Sequence, residues 1–315
     1  MKSKLLKKLM RVGVLPVDSS HPNYALMKVS SYWKRQGAEV EFYTPFAHYD
    51  LVYASKIFTF TPDYPHVLFN TDGVICGGTG YDIASRLPTE IEDTSPDYDL
   101  YRLDRRFALG FLTRGCPNAC PWCIVPRKEG KVTPYRDIEE IAVEGRDHIT
   151  LMDNNVLASD YGLSQIEKIV KLGLYVDFNQ NLDARLIDME VARLLVRVKW
   201  RPYIRLSCDT AGSIPAVTRA WRCLRDAGYK GEILVCTLLT SDISECLHRI
   251  ETLRALDRKV SPFAQPYRDF SGKGELPQWQ KDMARWVNRK EIFRSTDFKD
   301  YAPRQGFRCS EYLRK

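Results

Sequence analysis

The chain has 315 residues, and a prior of one domain per roughly 150 residues predicts two domains. Its contents of 44% hydrophobic, 11% aromatic and 28% charged residues are typical of globular proteins and exclude fibrous and largely disordered classes. The formal charge of +7 is concentrated at the ends: residues 1–17 carry five Lys or Arg and no acid, and residues 271–315 carry eleven against six Asp or Glu. Such ends can attract nucleic acid or phosphate, although solvated surface charge explains them as well.

The apolar segments of the chain are too short to span a membrane. The longest of them, Ile233 to Leu239, falls far short of the ~20 residues that a bilayer-spanning helix needs. Lys7, Lys8 and Arg11 interrupt the N-terminal apolar residues before the hydrophobic region of a signal peptide can form. We therefore expect a cytoplasmic protein, in which nine cysteines are more typical of metal ligands or core residues than of disulfides.

Residues 1–100 predict a small flavodoxin-like, Rossmann-like α/β domain with a parallel sheet. Its expected elements are strands at 11–17, 39–43 and 50–53 and a helix at 25–33. A fourth strand pattern begins at Gly73 and runs into Gly77-Gly-Thr-Gly80, which is typical of a tight turn and less often of a phosphate-binding loop. The acidic stretch Pro88 to Asp99 is typical of a linker.

Residues 101–270 predict a partial (β/α)6 TIM-like barrel. After the first interval, candidate strands recur about every 26 to 29 residues, the length of one βα unit. They begin near Phe107, His148, Leu174, Tyr203, Gly231 and Lys259. Two capping-box patterns, Asp137–Glu140 and Ser164–Glu167, mark helix starts. In such a barrel the site lies at the carboxyl ends of the strands, so we expect functional residues directly after each strand.

Residues 271–315 predict a basic helical extension. One helical face carries the apolar residues Leu276, Trp279, Met283, Trp286 and Phe293, and Lys and Arg occupy other positions. The tryptophans on this face either pack the helix against the barrel or stack on nucleic-acid bases.

Three cysteines follow the first barrel strand, in Thr113-Arg-Gly-Cys116-Pro-Asn-Ala-Cys120-Pro-Trp-Cys123. Glycine and prolines in this loop prevent a helix that would separate the thiolates. A structural zinc site needs four ligands, and the nearest additional His or Cys are His148 and Cys76. Three thiolates fit better a four-iron cluster with one iron open to a substrate or cofactor. The alternative is a non-catalytic zinc-binding nucleic-acid module, with a fourth ligand from the fold or a partner.

The spacing Cys116-x-x-x-Cys120-x-Trp122-Cys123, on the loop after the first strand of a βα barrel, resembles the signature of the radical S-adenosylmethionine superfamily. The resemblance covers Phe107 to Arg268. It implies a [4Fe-4S] cluster on the three cysteines, S-adenosylmethionine chelating the open iron, and Trp122 against its adenine. It also implies reductive cleavage to methionine and a 5′-deoxyadenosyl radical, with a one-electron donor such as a flavodoxin or ferredoxin. The protein would hold the cofactor, exclude water and aim the radical.

The same resemblance makes polar residues after the second and third strands candidates for binding the methionine part of the cofactor. Asp153, Asn154 and Asn155 follow the second strand, where the superfamily binds the methionine amine, although such a run is also typical of a helix-capping turn. Asp183 and Arg185 follow the third strand. They either form a structural ion pair or grip the methionine carboxylate through the guanidinium.

Weaker candidates follow the later strands. Ser207 and Asp209 are placed to meet the ribose hydroxyls, and Gln265 and Tyr267 to meet adenine or substrate. Cys309 in the basic tail is either a packing or surface thiol, or a hydrogen donor or additional ligand. Tyr267 and Cys309 are the catalytic candidates beyond the cluster. The remaining cysteines lie in apolar contexts that predict burial as small hydrophobes: Cys76, Cys208, Cys223, Cys236 and Cys246.

The N-terminal domain resembles, more loosely, the cobalamin-binding fold found before many radical barrels. The usual Asp-x-His-x-x-Gly cobalt-ligand motif is missing, because Asp18-Ser-Ser-His21-Pro-Asn23 has another spacing and no following glycine. We therefore do not expect cobalamin as a cofactor, while its binding without a protein ligand to cobalt stays open. The basic ends favour a nucleic acid or nucleotide as substrate over a peptide or small metabolite.

Overall fold

The computed structural model describes residues 9–64, 70–240, 242–272 and 274–314. The chain divides into two compact units, Met1–Arg105 with Asp269–Lys273 and Arg106–Arg268 with Gly274–Lys315. Four of the five basic residues predicted at the N-terminus fall within residues 1–8, outside the described ranges. Within those ranges, no helix is both long enough and apolar enough to span a membrane.

The first unit is built on a four-stranded parallel sheet. Its strands are β1 (Arg11–Pro16), β2 (Glu39–Phe42), β3 (Leu51–Ser55) and β4 (Val74–Gly77), and its helices are α1 (Tyr24–Arg35) and α2 (Thr89–Glu92). The strand order is β2-β1-β3-β4, with every neighbouring pair parallel. Val12 and Val14 of β1 pack with α1 on one face of this sheet, and Val52 lies in a second buried cluster. Burial on both faces is typical of parallel sheets and explains the near-continuous apolar sequence of β1.

The stretch 88–99, predicted as a linker, instead packs against α1. Ile91 is buried, and the carboxylate of Asp97 accepts hydrogen bonds from Ser30 Oγ and Lys34 Nζ, both at 2.6 Å. The linker prediction is therefore wrong, because the acidic residues that suggested solvent exposure have partners on the helix.

The glycine-rich sequence after β4 forms a tight turn over the loop that follows β3. Gly78 has a φ of +91°, and a Cβ there would lie 2.5 Å from the carbonyl oxygen of Lys56. A Cβ at Gly80 would lie 2.8 Å from the carbonyl oxygen of Phe58. The glycines thus allow two backbone segments to approach closely, which favours the tight-turn interpretation over the phosphate-binding one.

The second unit carries the predicted βα repeat. Its strands are β5 (Phe107–Gly110), β6 (Thr113–Arg114), β7 (Thr133–Pro134), β8 (His148–Leu151), β9 (Tyr175–Phe178), β10 (Lys199–Trp200), β11 (Ile204–Ser207), β12 (Ile233–Leu239) and β13 (Val260–Pro266). Its helices are α3 (Val125–Lys128), α4 (Ile138–Ile141), α5 (Asp160–Leu172), α6 (Met189–Leu195), α7 (Ile214–Asp226), α8 (Ile243–Leu256), α9 (Gln278–Asn288) and α10 (Lys290–Ser295). The six predicted barrel strands correspond to β5, β8, β9, β11, β12 and β13.

Those six strands lie in two parallel sheets, ordered β10-β9-β8-β5 and β11-β12-β13. A parallel bridge between Leu182 and Leu206 connects the two sheets in the region of β9 and β11. Among the described residues the strands do not close into a complete barrel. The mixed α/β class with parallel strands is confirmed, whereas the flavodoxin-like assignment of the first unit stays a prediction.

Helix starts follow local side-chain chemistry, with one exception to the sequence prediction. Asp137 and Glu140 form the predicted capping box at α4. The second predicted box is wrong, because α5 begins at Asp160 with Ser159 as its N-cap, and Ser164 lies inside the helix. Ser159 lies before the first apolar residue of the helical pattern of α5, so its hydroxyl can accept from the unpaired N–H groups of the first turn.

The C-terminal helices α9 and α10 pack onto α8 and β13. Trp286 is fully buried beside Met283 and Phe293, and Trp279 is partly buried against the same cluster. Packing is therefore the role of these apolar residues, and Trp286 has no exposed face on which a base can stack. Cys309 is fully buried in this cluster, and burial raises its pKa to about 12. By contrast Cys76, predicted to be buried, is exposed because β4 is an edge strand.

Candidate metal centre

The loop that carries the three cysteines is closed at its base by backbone pairing. β6 and β7 pair as antiparallel strands on either side of the loop, and the N–H of Cys116 donates to the carbonyl oxygen of Gly130 at 3.0 Å. Gly115 has a φ of +89°, and a Cβ there would lie 2.3 Å from the carbonyl oxygen of Lys131. A glycine is therefore required where the chain turns from β6 into the cysteines.

The thiols of Cys116, Cys120 and Cys123 are all partly buried. Burial raises the pKa of Cys120, and negative charge on Cys123 and Cys116 raises it further, so the three sulfurs lie in one electrostatic neighbourhood. Burial also raises the pKa of Cys123, although the N–H of Val125 donates to its Sγ at 3.4 Å. In the part of the chain that the structure describes, no three His, Cys, Asp or Glu side chains are arranged around a single ion.

Asp153, directly after β8, is bonded to the start of the cysteine loop. Its carboxylate accepts hydrogen bonds from the N–H groups of Leu112 and Thr113 and from Thr113 Oγ1, at 3.1, 2.6 and 2.8 Å. The side chain is buried, and this burial raises its pKa to about 6 even though the donors act in the opposite direction. The carboxylate is thus already engaged within the protein.

Asn154 and Asn155 contact the same loop further along. Asn154 Oδ1 accepts from the N–H of Gly115 at 3.2 Å. Asn155 Nδ2 donates to Cys116 Sγ at 3.6 Å and to Asp183 Oδ2 at 3.1 Å. The Oδ1 atom of Asn155 is buried and finds no donor among the described residues. A buried amide oxygen without a donor is costly, and it indicates a place for a ligand N–H or O–H group.

Asp183 and Arg185 form a structural ion pair, which is one of the two interpretations predicted for them. Arg185 Nε and Nη2 donate to the two carboxylate oxygens at 2.8 and 2.7 Å, and Asn118 Nδ2 donates at 3.0 Å. Burial alone would raise the pKa of Asp183, but the bonds from Arg185 and Asn118 outweigh it and lower the pKa. The side chain of Arg185 is 56% exposed, and its positive charge lowers the pKa of Cys120, so it lies near the cysteine loop.

Asp209, after β11, also faces the cysteine loop. Its negative charge contributes to the raised pKa of both Cys120 and Cys123. Burial raises the pKa of Asp209 itself, and its Oδ1 accepts from the N–H of Leu238 at 3.0 Å. Ser207 ends β11 and is partly buried. The structure therefore brings groups from the loops after four strands, β5, β8, β9 and β11, around one place.

The other predicted site residues have fewer contacts with the cysteine loop. Trp122 is partly buried within the cysteine loop, next to Cys123. Gln265 is exposed near the end of β13, and Tyr267 follows it with its N–H bonded to the carbonyl oxygen of Leu239 at 3.1 Å. Cys309 lies in the apolar C-terminal core rather than at the cysteine loop.

The sequence analysis missed a buried arginine that bonds the ends of two strands next to the site. Arg249 on α8 is fully buried and donates to the carbonyl oxygens of Cys208 and Leu238 at 2.6 and 2.9 Å. These carbonyls end β11 and β12 beside Asp209. The available signal was an arginine among the apolar residues of α8, where Cys246, Ile250 and Leu253 are also buried.

A second missed pair spans the seam between the two sheets. Arg205 Nε and Nη2 donate to the two carboxylate oxygens of Asp177 at 2.7 and 2.9 Å, linking β11 to β9. Nothing in the sequence shows that two residues on strands of different sheets meet, because the contact depends on how the sheets join.

The fold and the cysteine loop together define a class of parallel α/β proteins with a three-cysteine loop after the first strand of the βα repeat. A scan of protein-family models finds no match, and neither does a search of curated proteins. Among solved structures, the chain is similar to TsrM from Kitasatospora setae, a radical S-adenosylmethionine methyltransferase solved with cobalamin and a [4Fe-4S] cluster bound. The TM-score is 0.61 at 15% identity, over 82% of this chain and 75% of that one. The predicted resemblance to the radical S-adenosylmethionine superfamily is thereby confirmed at the level of fold.

Proposed function

We propose that the protein is a radical S-adenosylmethionine enzyme, which holds a [4Fe-4S] cluster through Cys116, Cys120 and Cys123. The observation that carries this proposal is the loop itself: three thiols after the first barrel strand, with Asn155 bonded to Cys116 Sγ and keeping a buried oxygen without a donor. When bound, the cluster would supply the electron that cleaves S-adenosylmethionine to methionine and a 5′-deoxyadenosyl radical.

The residues present fit these two groups. Thiolates are the ligands that iron–sulfur clusters prefer, and three of them would leave one iron of a four-iron cluster open. Asn155 Oδ1 needs a donor, and the amino group of S-adenosylmethionine supplies N–H groups.

The other site residues would orient the cofactor. Arg185 keeps an exposed guanidinium edge while Asp183 fixes its position, so it can bond the methionine carboxylate without losing its ion pair. Asp209 is a buried acceptor beside the cysteine loop, which suits ribose hydroxyls, and Ser207 ends the same strand. Trp122 in the loop would pack against adenine. Trp122, Ser207 and Asp209 are partly buried, which would limit the access of water to the bound cofactor.

Anaerobic purification followed by metal analysis tests the proposal. Brown protein with about four irons and four sulfides per chain supports it, together with 5′-deoxyadenosine formed under reducing conditions. A variant with all three cluster cysteines changed to Ala should lose both properties, while Cys76→Ala, an exposed cysteine of the other unit, should keep them. Colourless protein with one zinc, or cleavage that survives the triple replacement, would reject the enzyme and favour the zinc-binding module.

The substrate is proposed to be a nucleic acid or nucleotide. Exposed cations of the C-terminal helices support this choice: Lys281, Arg285, Arg289 and Arg294. Phosphate contacts release counterions, so the affinity for a labelled oligonucleotide should fall as salt rises. Binding that does not respond to salt would contradict a role for these cations, and added substrate that leaves 5′-deoxyadenosine at its uncoupled level would contradict the substrate class.

For cobalamin, the segment Asp18 to His21 does not fit a histidine ligand to cobalt. The carboxylate of Asp18 accepts from the N–H groups of Ile57 and Phe58 at 2.9 and 2.7 Å, and His21 is exposed. We therefore propose that any cobalamin here binds without coordination by His21. An absorbance titration with hydroxocobalamin should show the same spectrum for the parent and His21→Ala. A histidine-ligated spectrum lost in the variant would refute this.

A further inference from the structure

Three consecutive side chains after β8 bond to successive points of the cysteine loop. Asp153 bonds the N–H groups of residues 112 and 113, Asn154 bonds the N–H of Gly115, and Asn155 bonds Cys116 Sγ. β8 pairs with β5, the strand from which the loop emerges, so the contacts join the carboxyl ends of neighbouring strands. We call this set, residues 153–155, the loop clamp.

The carboxylate of Asp153 is enclosed by donors at the start of the cysteine loop. Its Oδ1 accepts from Leu112 N–H, Thr113 N–H and Thr113 Oγ1, and its Oδ2 lies 3.1 Å from the same Leu112 nitrogen. The residue is 2% exposed, so another group can reach the carboxylate only by displacing these donors. Both donor residues lie directly before Arg114 and Gly115, at the entrance to the cysteine loop.

We infer that Asp153 is a positioning residue for the cysteine loop and does not bind the methionine amine, and that Asn155 bonds a cluster-ligating sulfur through its amide nitrogen. The inference rests on the proposed function, because it concerns the ligands of the proposed cluster. Hydrogen bonds to ligating sulfurs are one of the features that set the potential of an iron–sulfur cluster. The clamp therefore controls both where the ligands stand and how readily the cluster accepts an electron.

The first test uses Asp153→Asn and Thr113→Val in full-length protein reconstituted anaerobically with iron and sulfide. Thr113→Val removes one donor from the loop side, at a fully buried position, without touching Asp153. We expect the half-time for iron removal by a chelator to shorten about tenfold in Asp153→Asn, since a bond to a buried carboxylate is worth roughly that factor, and to shorten less in Thr113→Val. The double variant Asp153→Asn with Thr113→Val should lose iron little faster than Asp153→Asn alone, because both changes break the same hydrogen-bond network. Asp160→Asn, at an exposed helix position, should match the parent.

The second readout separates positioning from a general loss of fold and from ligand binding. In Asp153→Asn, the electron paramagnetic resonance spectrum of the reduced cluster should differ from the parent before S-adenosylmethionine is added. The affinity of each remaining cluster for S-adenosylmethionine should stay within about threefold of the parent, since one lost ligand bond would cost more. Asp153→Glu, which keeps the charge, should recover part of the iron retention.

The third measurement addresses Asn155 directly. A hydrogen bond to sulfur stabilises the more negative, reduced cluster, so Asn155→Ala should shift the reduction potential to a more negative value without added S-adenosylmethionine. An unchanged potential would overturn the sulfur bond.

The positioning role of Asp153 is overturned if Asp153→Asn and Thr113→Val both retain iron and show the parent spectrum. If Asp153→Asn in addition loses affinity for S-adenosylmethionine, Asp153 binds the methionine amine instead. If Asp153→Asn does not fold, Thr113→Val decides alone by the same measurements. A parent protein that assembles no iron–sulfur cluster would instead reject the proposed function, and that result is distinct from any difference among variants.

Discussion

Arg249→Met offers a direct test of how the carboxyl ends of β11 and β12 are held. Methionine keeps most of the length and apolar stem of the arginine but removes its donors. In the parent, the guanidinium donates to the carbonyl oxygens of Cys208 and Leu238 at 2.6 and 2.9 Å and to Glu245 Oε2 at 3.0 Å. The side chain is fully buried, whereas that of Glu245 is 25% exposed, so the two carbonyls bear most of the loss.

The magnitude follows from these contacts. Each hydrogen bond to a charged group is worth about 1.5 to 3 kcal/mol, and breaking a buried charged network costs about 3 to 5 kcal/mol. We therefore expect Arg249→Met to lower the free energy of unfolding by about 4 kcal/mol and, at roughly 2 to 4 °C per kcal/mol for a unit of this size, to lower Tm by about 10 °C. The affinity for S-adenosylmethionine should fall as well, because Leu238 donates to Asp209 and loses its own anchor.

Thermal and urea unfolding followed by circular dichroism measure the effect, with Arg254→Met on the same helix as a matched control. Arg254 pairs with Asp297 at 3.2 Å, and that carboxylate is 58% exposed, so its loss should cost about 1 kcal/mol or less. Arg249→Lys keeps the charge with fewer donors and should fall between the parent and Arg249→Met. If Arg249→Met unfolds within 1 kcal/mol of the parent, the buried guanidinium does not hold the strand ends and the reasoning is wrong.

Three further predictions concern single positions. Gly115→Ala should lower the iron bound per chain several-fold because its Cβ meets a backbone oxygen, whereas Gly130→Ala, with a φ of +73° and open space around it, should retain iron. The pKa of Asp153 is raised to about 6 in the folded protein, against 3.8 when unfolded, which adds stability below pH 4 that is lost as the pH rises through 6. Urea unfolding at different pH values should show this difference in the free energy of unfolding, up to about 3 kcal/mol. The Asp153→Asn variant should lack the difference. Cys309→Ala should lower Tm yet leave 5′-deoxyadenosine formation unchanged, because this thiol lies in the core; lost cleavage with an intact cluster would make it a catalytic residue.

The repeat of the barrel could be predicted because its cause is local. Apolar runs alternate with amphipathic helical segments at nearly constant spacing, and each of the six candidate strands has an observed counterpart that begins within a few residues. The cysteine loop could be found for the same reason, since its ligands are adjacent in sequence. The capping box at Ser164 failed because the pattern of a short polar residue and a later Glu also occurs inside α5, where Ser164 donates to the carbonyl oxygen of Tyr161 instead.

The site residues were harder to predict than the strands, because their roles depend on which neighbour each one meets. The sequence places Asp153, Asn154 and Asn155 at the end of a strand, but it does not show that the cysteine loop returns N–H groups to the first two side chains. Asn118 lies inside the cysteine motif, yet its bond to Asp183 joins residues far apart in the chain. Periodicity and spacing describe one segment at a time and carry no information about such pairs.

The open form of the barrel explains why buried polar side chains matter so much at this site. A closed barrel fixes the ends of its strands through continuous backbone hydrogen bonds, whereas here, within the described ranges, a single bridge connects the two sheets. Asp177 and Arg205 span that seam, Arg249 holds the ends of β11 and β12, and Asp153 holds the chain leaving β5. Each of these side chains bonds a neighbouring strand, or the loop after it, at a place where the backbone hydrogen bonds between strands are missing or have ended. Changes at these positions should therefore disturb the cysteine loop and the cofactor residues before they disturb the rest of the fold.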